Sequence, residues 1–204
     1  MNRKPQISRA RLAAAAIALA LCACLMGCGK RLTMKVAVAL EAEPESTFAP
    51  DDVMVKTGDQ IRLFLTSGSK GYCYVFHKGT SGEYYSLFPR GESGAAPHAV
   101  QPNQPVRIPY EEDKWLRFGE GSGTEWVYVV FSPSKVDRLE ELLEAAQLAS
   151  ADIQHAVDEL KASLPLNYSL QKKVGKHDAV FQMTSKDPRA FILAEIGLQH
   201  VGRK

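Results

Sequence analysis

The feature that most constrains the fold is a series of β-prone runs between residues 33 and 131. The runs are rich in β-branched and aromatic residues and are separated by turn-forming segments, as is typical of strands. The predicted strands are TMKVAVAL (33–40), IRLFLT (61–66), GYCYVFHK (71–78), EYYSLF (83–88), VRIP (106–109), KWLRF (114–118) and EWVYVVF (125–131). We expect the last of these strands to lie in the centre of its sheet.

Two of the runs predict a β-hairpin, because only the turn-forming GTSG (79–82) separates GYCYVFHK from EYYSLF. If Lys78 faces Glu83, then Phe76 faces Tyr85. One side of the hairpin then carries an aromatic ladder of Tyr72, Tyr74, Phe76 and Tyr85. Cross-strand aromatic pairs stabilise a sheet by about 0.2–1 kcal/mol each. A shift of one residue would exchange the two faces.

Helical periodicity replaces the strand pattern after residue 132 and predicts a helical hairpin over residues 133–164. Ser132 or Ser134 can cap the first helix and Ser150 the second. The predicted apolar faces are Val136, Leu139, Leu142, Leu143 and Ala146 in the first helix, and Ile153, Val157, Leu160 and Leu164 in the second.

The C-terminal part is predicted to be a basic loop, QKKVGKHD (171–178), followed by two strands within residues 178–201. The period of the last run is also compatible with a helix. The predicted fold class is therefore mainly β (α+β). We expect an antiparallel β-sandwich-like domain with a helical hairpin in its C-terminal half and a final strand pair.

The first 27 residues predict an export signal. Residues 1–11 carry four basic residues and no acidic one, and residues 12–26 carry no charge. This apolar run is shorter than the roughly 20 residues that span a bilayer. The stretch Leu25-Met26-Gly27-Cys28 resembles the lipobox of bacterial lipoproteins. That resemblance implies cleavage between Gly27 and Cys28 and lipid attachment to the sulfur of Cys28. Cys22 and Cys24 would leave with the signal.

The composition that remains once the signal is removed limits the function classes and the number of domains. The remaining 177 residues have 21 basic and 23 acidic residues, so the net charge of −2 gives no support for nucleic-acid binding. Residues 28–32 would be the lipidated cysteine and a short tether, and residues 33–204 one domain. Cys73 lies in an apolar run and is interpreted as a buried small hydrophobe.

No motif identifies a catalytic residue, a metal site or a cofactor. The glycine-rich loop at residues 119–123 precedes a strand, whereas a phosphate-binding loop precedes a helix. The acidic run 111–113 lacks the interleaved glycine of calcium loops and predicts a solvated turn. The histidines share no metal-ligand spacing and are interpreted as scattered surface residues; they are His77, His98, His155, His177 and His200. The alternative is that the fold gathers two or three of them.

One segment is a candidate for partner binding. Phe88, Pro89 and Arg90 stand where an apolar strand runs into a long, proline-rich loop at residues 89–104. Long loops on β-domains often carry recognition. The alternative, given equal weight, is that Phe88 closes the core and the loop has no function.

A series of spaced motifs carries a family resemblance. The motifs are Gly58-Asp59, Gly71-Tyr72 with Tyr74-Val75-Phe76, Gly82, Leu87-Phe88-Pro89, Ile108-Pro109, and Gly123 with Glu125. Over residues 55–132 their order resembles a bacterial family, domain of unknown function 4384. Cys73 stands where leucine is common, and Arg90 where asparagine usually follows. The resemblance implies a β-rich accessory module and supplies no catalytic residues.

These features lead to an expected function. We expect an exported protein that is lipid-anchored at Cys28, faces the periplasm and acts as a non-catalytic binding or scaffolding module for an envelope protein. Gly29, where an aspartate would favour inner-membrane retention, points to the outer membrane. The alternatives are an envelope hydrolase acting on peptidoglycan or carbohydrate, and a small-ligand-binding lipoprotein. Lys172, Lys173 and Lys176 are either lipid contacts or part of a solvated loop.

Overall fold

Alternating apolar positions produce twelve strands in the part of the chain that the computed structural model describes: residues 31–41, 48, 52–89, 98–144, 149–163 and 168–202. The strands are β1 (Leu32–Leu40), β2 (Met54–Lys56), β3 (Gln60–Ser67), β4 (Gly71–Lys78), β5 (Tyr84–Phe88), β6 (Ala99–Val100), β7 (Val106–Ile108), β8 (Leu116–Arg117), β9 (Gly123–Ser132), β10 (Tyr168–Val174), β11 (Asp178–Ser185) and β12 (Ile192–Val201). Two helices are described, α1 (Asp137–Glu144) and α2 (Ser150–Ser163).

The strands form two six-stranded sheets. The first sheet has the order β10-β11-β1-β3-β7, with β8 also paired to β3. The second has the order β2-β12-β9-β4-β5, with β6 also paired to β4. All pairs are antiparallel except β12 with β2, which is parallel. The mainly β, sandwich-like fold class is confirmed, and β9 is central as predicted. The two final strands are also confirmed, and each joins a different sheet.

Two hydrophobic clusters hold the layers together. The larger lies between the sheets and includes Val38, Leu63 and Val129, all at 0% exposure. The smaller lies between the outer face of the second sheet and the helices, where Tyr74 and Phe76 pack with Leu139, Ile153 and Val157. Fully burying one such aliphatic or aromatic side chain contributes about 1.5–3 kcal/mol. The predicted helical hairpin therefore covers the sheet with its apolar face.

Two of the connections between the sheets, those after β3 and after β11, define one end of the sandwich, which we call the basal end. Leu32 of β1 faces Ser185 there, and Met34 faces Ser67. The short turn after Ser67 leads from β3 into β4, and the connection after Ser185 leads from β11 into β12. Gly71 opens β4 against β9, and a Cβ atom at Gly71 would lie 2.4 Å from the backbone oxygen of Ser132. Only glycine fits this approach without a backbone shift.

The predicted hairpin register is wrong by one residue. Lys78 faces Tyr84, and Phe76 faces Ser86, with an irregularity between Val75 and Phe76. The cause is the turn, in which Gly79 N–H donates to the carbonyl oxygen of Glu83 and Gly82 has a φ of 89°. Glu83 thus belongs to the turn, which spans residues 79–83. The first residue of β5 that faces Lys78 is therefore Tyr84, one position later than predicted.

The aromatic ladder changes accordingly. Tyr72, Tyr74 and Phe76 lie on one side of β4 as predicted, but the tyrosine of β5 on that side is Tyr84, whose ring stacks on Tyr128 at 5.9 Å between centroids. Tyr85 points to the other side and is 49% exposed.

Two further predictions are wrong. Residues 171–174 of the predicted loop belong to β10 (Tyr168–Val174). The side chains of this edge strand are mostly exposed, so the alternation that would identify it is missing. The serine caps are also wrong. Val136 and Ala149 supply the first carbonyl acceptors of α1 and α2. Ser150 Oγ instead accepts a hydrogen bond from Tyr84 N–H at 2.8 Å.

Candidate functional site

Four polar side chains meet on the inner face of the second sheet, at the end opposite the basal end. We call them the Glu125 cluster: Thr57, His77, Glu125 and His200. Glu125 Oε2 lies 2.6 Å from His77 Nε2, and Glu125 Oε1 lies 2.9 Å from His200 Nδ1. The other nitrogen of His200, Nε2, lies 3.3 Å from Thr57 Oγ1. One carboxylate therefore joins two histidines, and one of these reaches a hydroxyl.

The electrostatics favour an ionised Glu125. Burial alone would raise the pKa of Glu125, but the hydrogen bonds and charge interactions with His77 and His200 outweigh it, and the pKa lies below its ordinary value. Phe118 packs edge-on against the His200 ring at 5.5 Å between centroids. The carboxylate is thus kept charged in an apolar setting because both of its oxygens have partners.

The order hydroxyl, imidazole, carboxylate is that of a nucleophilic triad. Thr57 is only 9% exposed and His200 only 3%, so the hydroxyl does not face a surface that a substrate reaches in this conformation. What the arrangement does here is satisfy buried polar groups, each of which would otherwise cost about 1–3 kcal/mol.

A small cavity lies beside the cluster, between the two sheets. His77 and Glu125 line it together with apolar residues such as Ile61, Leu116 and Phe118, and its volume is about 110 Å³. Small-molecule sites usually measure roughly 300–1,000 Å³. This cavity holds only about three to four waters.

A second polar cluster lies at the start of α1, on the outer side of the second sheet. Glu140 accepts hydrogen bonds from Tyr74 Oη, from Lys135 Nζ at 2.6 Å, and pairs with His98 Nε2 at 2.8 Å. Burial opposes ionisation of Glu140, but these partners outweigh it and hold its pKa below the ordinary value. The cluster ties α1 and the segment around His98 to β4.

The structure describes two of the three residues of the candidate partner-binding segment. Phe88 is 4% exposed and belongs to the cluster between the sheets, and Pro89 is also buried. Arg90 and residues 91–97 lie outside the described residues, as do Gly27 and Cys28. The burial of Phe88 favours the alternative in which it closes the core.

The prediction that the histidines are scattered surface residues is wrong for His98, which pairs with Glu140, and for His77 and His200, which β4 and β12 bring to one carboxylate. A signal for this was present in the sequence. Side chains two residues apart along a strand point to the same face. Each of the three residues is an even number of positions from an inward apolar residue of its own strand, so alternation places all three on inward faces. The apolar residues are Val75 for His77, Val127 for Glu125 and Leu198 for His200. Cys73 is confirmed as a buried hydrophobe, and burial raises the pKa of its thiol.

Two other expectations are confirmed. Residues 111–113 are exposed, and the glycine-rich loop leads into β9.

The described residues contain no group of three or more His, Cys, Asp or Glu side chains arranged to hold a metal ion. No helix in the described ranges has the length and apolar character needed to cross a membrane.

Comparison with known families agrees with these motifs. Residues 54–135 match the profile of the family described as Domain of unknown function (DUF4384). The chain contains a DUF4384-like domain. No curated protein and no solved structure gives a significant match.

The matched segment supplies β2 to β9, that is, parts of both sheets. Both sheets also need strands from outside the match, because β1 lies beside β3 and β12 lies beside β9. The DUF4384-like segment is therefore completed by the flanking strands of this chain.

Proposed function

We propose that this protein is a lipid-anchored module of the bacterial cell envelope that binds an envelope protein and has no catalytic role. The anchor is inferred from Leu25-Met26-Gly27-Cys28 after an uncharged apolar run. Anchoring at Cys28 places the folded domain close to a membrane, since β1 starts at Leu32. More than one acyl chain is needed for stable anchoring.

The observation that carries the binding role is the open edge of β10. This seven-residue strand pairs with β11 on one side, and no described residue pairs with its other side. Leu170 on β10 is 51% exposed. An exposed edge of this kind offers unpaired N–H and C=O groups to which an extended segment of a partner adds as a further strand.

The register indicates which backbone groups face outward. Gly175 N–H donates to the carbonyl oxygen of Asp178, and the pairing continues without a shift to Tyr168 opposite Ser185. Hydrogen-bonded pairs alternate along an antiparallel ladder. The N–H groups of Leu170 and Lys172 therefore point away from β11. Lys173, which is exposed on the same strand, favours a partner segment with acidic residues.

A proline substitution tests this edge. Leu170→Pro removes one outward N–H and leaves the ladder with β11 intact, because proline is tolerated on the open side of an edge strand. Leu170→Thr is the matched control, since it also removes the leucine side chain but keeps the N–H. A photoreactive residue at position 169, exposed on the same strand, would report partner contact in intact cells.

We expect one envelope protein to crosslink from position 169, with strong loss in Leu170→Pro, smaller loss in Leu170→Thr, and loss in Cys28→Ala. Urea denaturation of Leu170→Pro would establish that the domain remains folded. An unchanged crosslink in folded Leu170→Pro would contradict the edge as the contact. Absence of any protein crosslink would contradict the binding role.

A further inference from the structure

The basal end of the sandwich carries a set of exposed cations. The end is formed where β1 begins and where the chain crosses between the sheets. Four exposed basic residues there are Arg31, Lys70, Lys186 and Arg189, and a fifth, Lys135, pairs with Glu140. None of these four side chains forms an ion pair with another described residue. Asp187 is an exposed acid in the same region, and its Oδ1 accepts a hydrogen bond from Arg189 N–H at 2.8 Å.

Charge is distributed unequally between the two ends. Exposed acidic residues lie at or towards the far end, in the β4–β5 turn at Glu83, before β9 at Glu120 and at residues 111–113. Lys176 also lies at the far end, because Leu40 N–H donates to the neighbouring His177 carbonyl oxygen. At the basal end the four cations outnumber the exposed acids there, Asp137 and Asp187, whereas at the far end exposed cations such as Lys56, Lys114 and Lys176 are mixed with the acidic residues.

The basal end also contains an open cleft of about 450 Å³. Two of the four cations, Arg31 and Lys186, line it beside the hydroxyl-bearing Ser169 and Thr184. Asp187 also lines the cleft, so the two cations there face one carboxylate, whose Oδ1 already accepts a hydrogen bond from Arg189 N–H. Cations with hydroxyl donors are the groups that bind phosphate oxygens. The cleft thus has the size and the chemistry to accept an anionic lipid headgroup.

We propose that the basal end docks on the surface of a bilayer that contains anionic phospholipids. This inference rests on the proposed anchor. Cys28 is four residues before Leu32, and four residues span at most about 14 Å. Acyl chains on Cys28 would therefore hold the basal end within reach of the headgroups, where its cations meet phosphate. The far end and its acidic residues would face away from the membrane.

Docking of this kind fixes the direction in which the domain presents its surfaces. The strands of the first sheet would stand with their basal ends on the membrane. β10 would run outward from Tyr168, beside the cleft, to Val174. Its open edge would then be available to a partner along its length.

A probe at the basal end tests the proposal. The lipoprotein, expressed from the full-length sequence and purified in its processed form without Cys22 and Cys24, is reconstituted into vesicles of phosphatidylcholine, with or without phosphatidylglycerol. An environment-sensitive fluorophore is attached at Pro188→Cys in the basal connection, and in a second sample at Glu120→Cys at the far end. Both positions are exposed, and the buried native Cys73 does not compete for the label.

We expect the probe at position 188 to report an apolar, headgroup-like environment only when phosphatidylglycerol is present, and the probe at position 120 to stay in water. Lys70→Gln with Lys186→Gln and Arg189→Gln should lower the ratio of docked to undocked protein about 100-fold, roughly fivefold per charge. High salt should also lower the ratio of docked to undocked protein, because it screens the attraction between the cations and the anionic lipids. The matched variant, with Lys56, Lys114 and Lys176 changed to Gln, removes three exposed cations elsewhere and should change little.

Flotation with the vesicles separates the two proposals. Protein that floats but gives the same emission in both lipids would overturn the docking and leave the anchor standing. Equal effects of the two triple variants would also overturn it, since net charge rather than this surface would then decide. Protein that does not float with either vesicle would contradict the anchor and the docking together.

Discussion

At the residue scale, the arrangement around Glu125 shows what alternation can and cannot predict. Strand parity places His77, Glu125 and His200 on inward faces, but a sequence pattern does not state that three inward polar residues on three strands will meet. The meeting depends on the register of β4 and β12 against β9, which is set by long-range packing. An inward histidine or glutamate in a strand is therefore a signal to look for a partner.

We predict that Glu125→Gln destabilises the fold by about 1–3 kcal/mol at pH 7, because the two histidines lose a charged acceptor at a buried site. The pKa of Glu125 lies below its ordinary value of 4.5, so its contribution is present above that pH and is lost as the pH falls through the folded-state pKa. Urea denaturation at several pH values measures both effects.

The matched control is Glu120→Gln, an exposed glutamate in the preceding loop, which we expect to change the free energy of unfolding by less than about 0.5 kcal/mol. A difference between wild type and Glu125→Gln that grows as the pH falls below 4.5 would contradict the assigned charge state.

At the element scale, the success of each prediction follows from the burial of the element. Strands buried on one face, such as β1 and β3, alternate clearly and are predicted within one or two residues. β10 is exposed on both faces and has no such pattern. The hairpin register depends on the length of the turn. Side-chain pairing preferences do not reveal that Glu83 belongs to the turn rather than to β5. The predicted caps of the helices were wrong because Ser132 is the last residue of β9 and the Ser150 hydroxyl accepts a hydrogen bond from Tyr84 N–H of β5.

We predict that Ser150→Ala destabilises the fold by about 1 kcal/mol, because Tyr84 N–H loses the acceptor that ties β5 to α2. Hydrogen exchange of the Tyr84 amide should become faster than in the wild type. Ser163→Ala, which removes a hydroxyl that donates to the Leu160 carbonyl oxygen within α2, is the control and should leave that amide unchanged. Equal protection of Tyr84 in both variants would show that this bond does not hold the strand.

At the scale of the whole molecule, the family match and the fold have different boundaries. The motifs predict the DUF4384-like segment well, at residues 55–132 against the matched 54–135. They do not predict that the sandwich is closed by strands from both ends of the chain, because pairings such as β1 with β11 join residues far apart in sequence. Long-range pairing leaves no local pattern.

We predict that residues 54–135 alone do not fold, since β3 would lose its neighbour β1 and β9 its neighbour β12, exposing apolar edges and faces. Circular dichroism should show no cooperative unfolding of this segment, whereas the domain from residue 29 onward should unfold in one transition. Cooperative unfolding of the short segment would contradict the shared core.

The state of Cys28 decides the proposed anchoring, orientation and partner access together. The decisive measurement is mass spectrometry of the N-terminal peptide of the protein isolated from its native membranes. We predict a chain that starts at residue 28 with diacylglycerol on the Cys28 sulfur and a further acyl chain on its amine. A chain that retains residues 1–27, or one that starts elsewhere with no lipid on Cys28, would contradict this prediction.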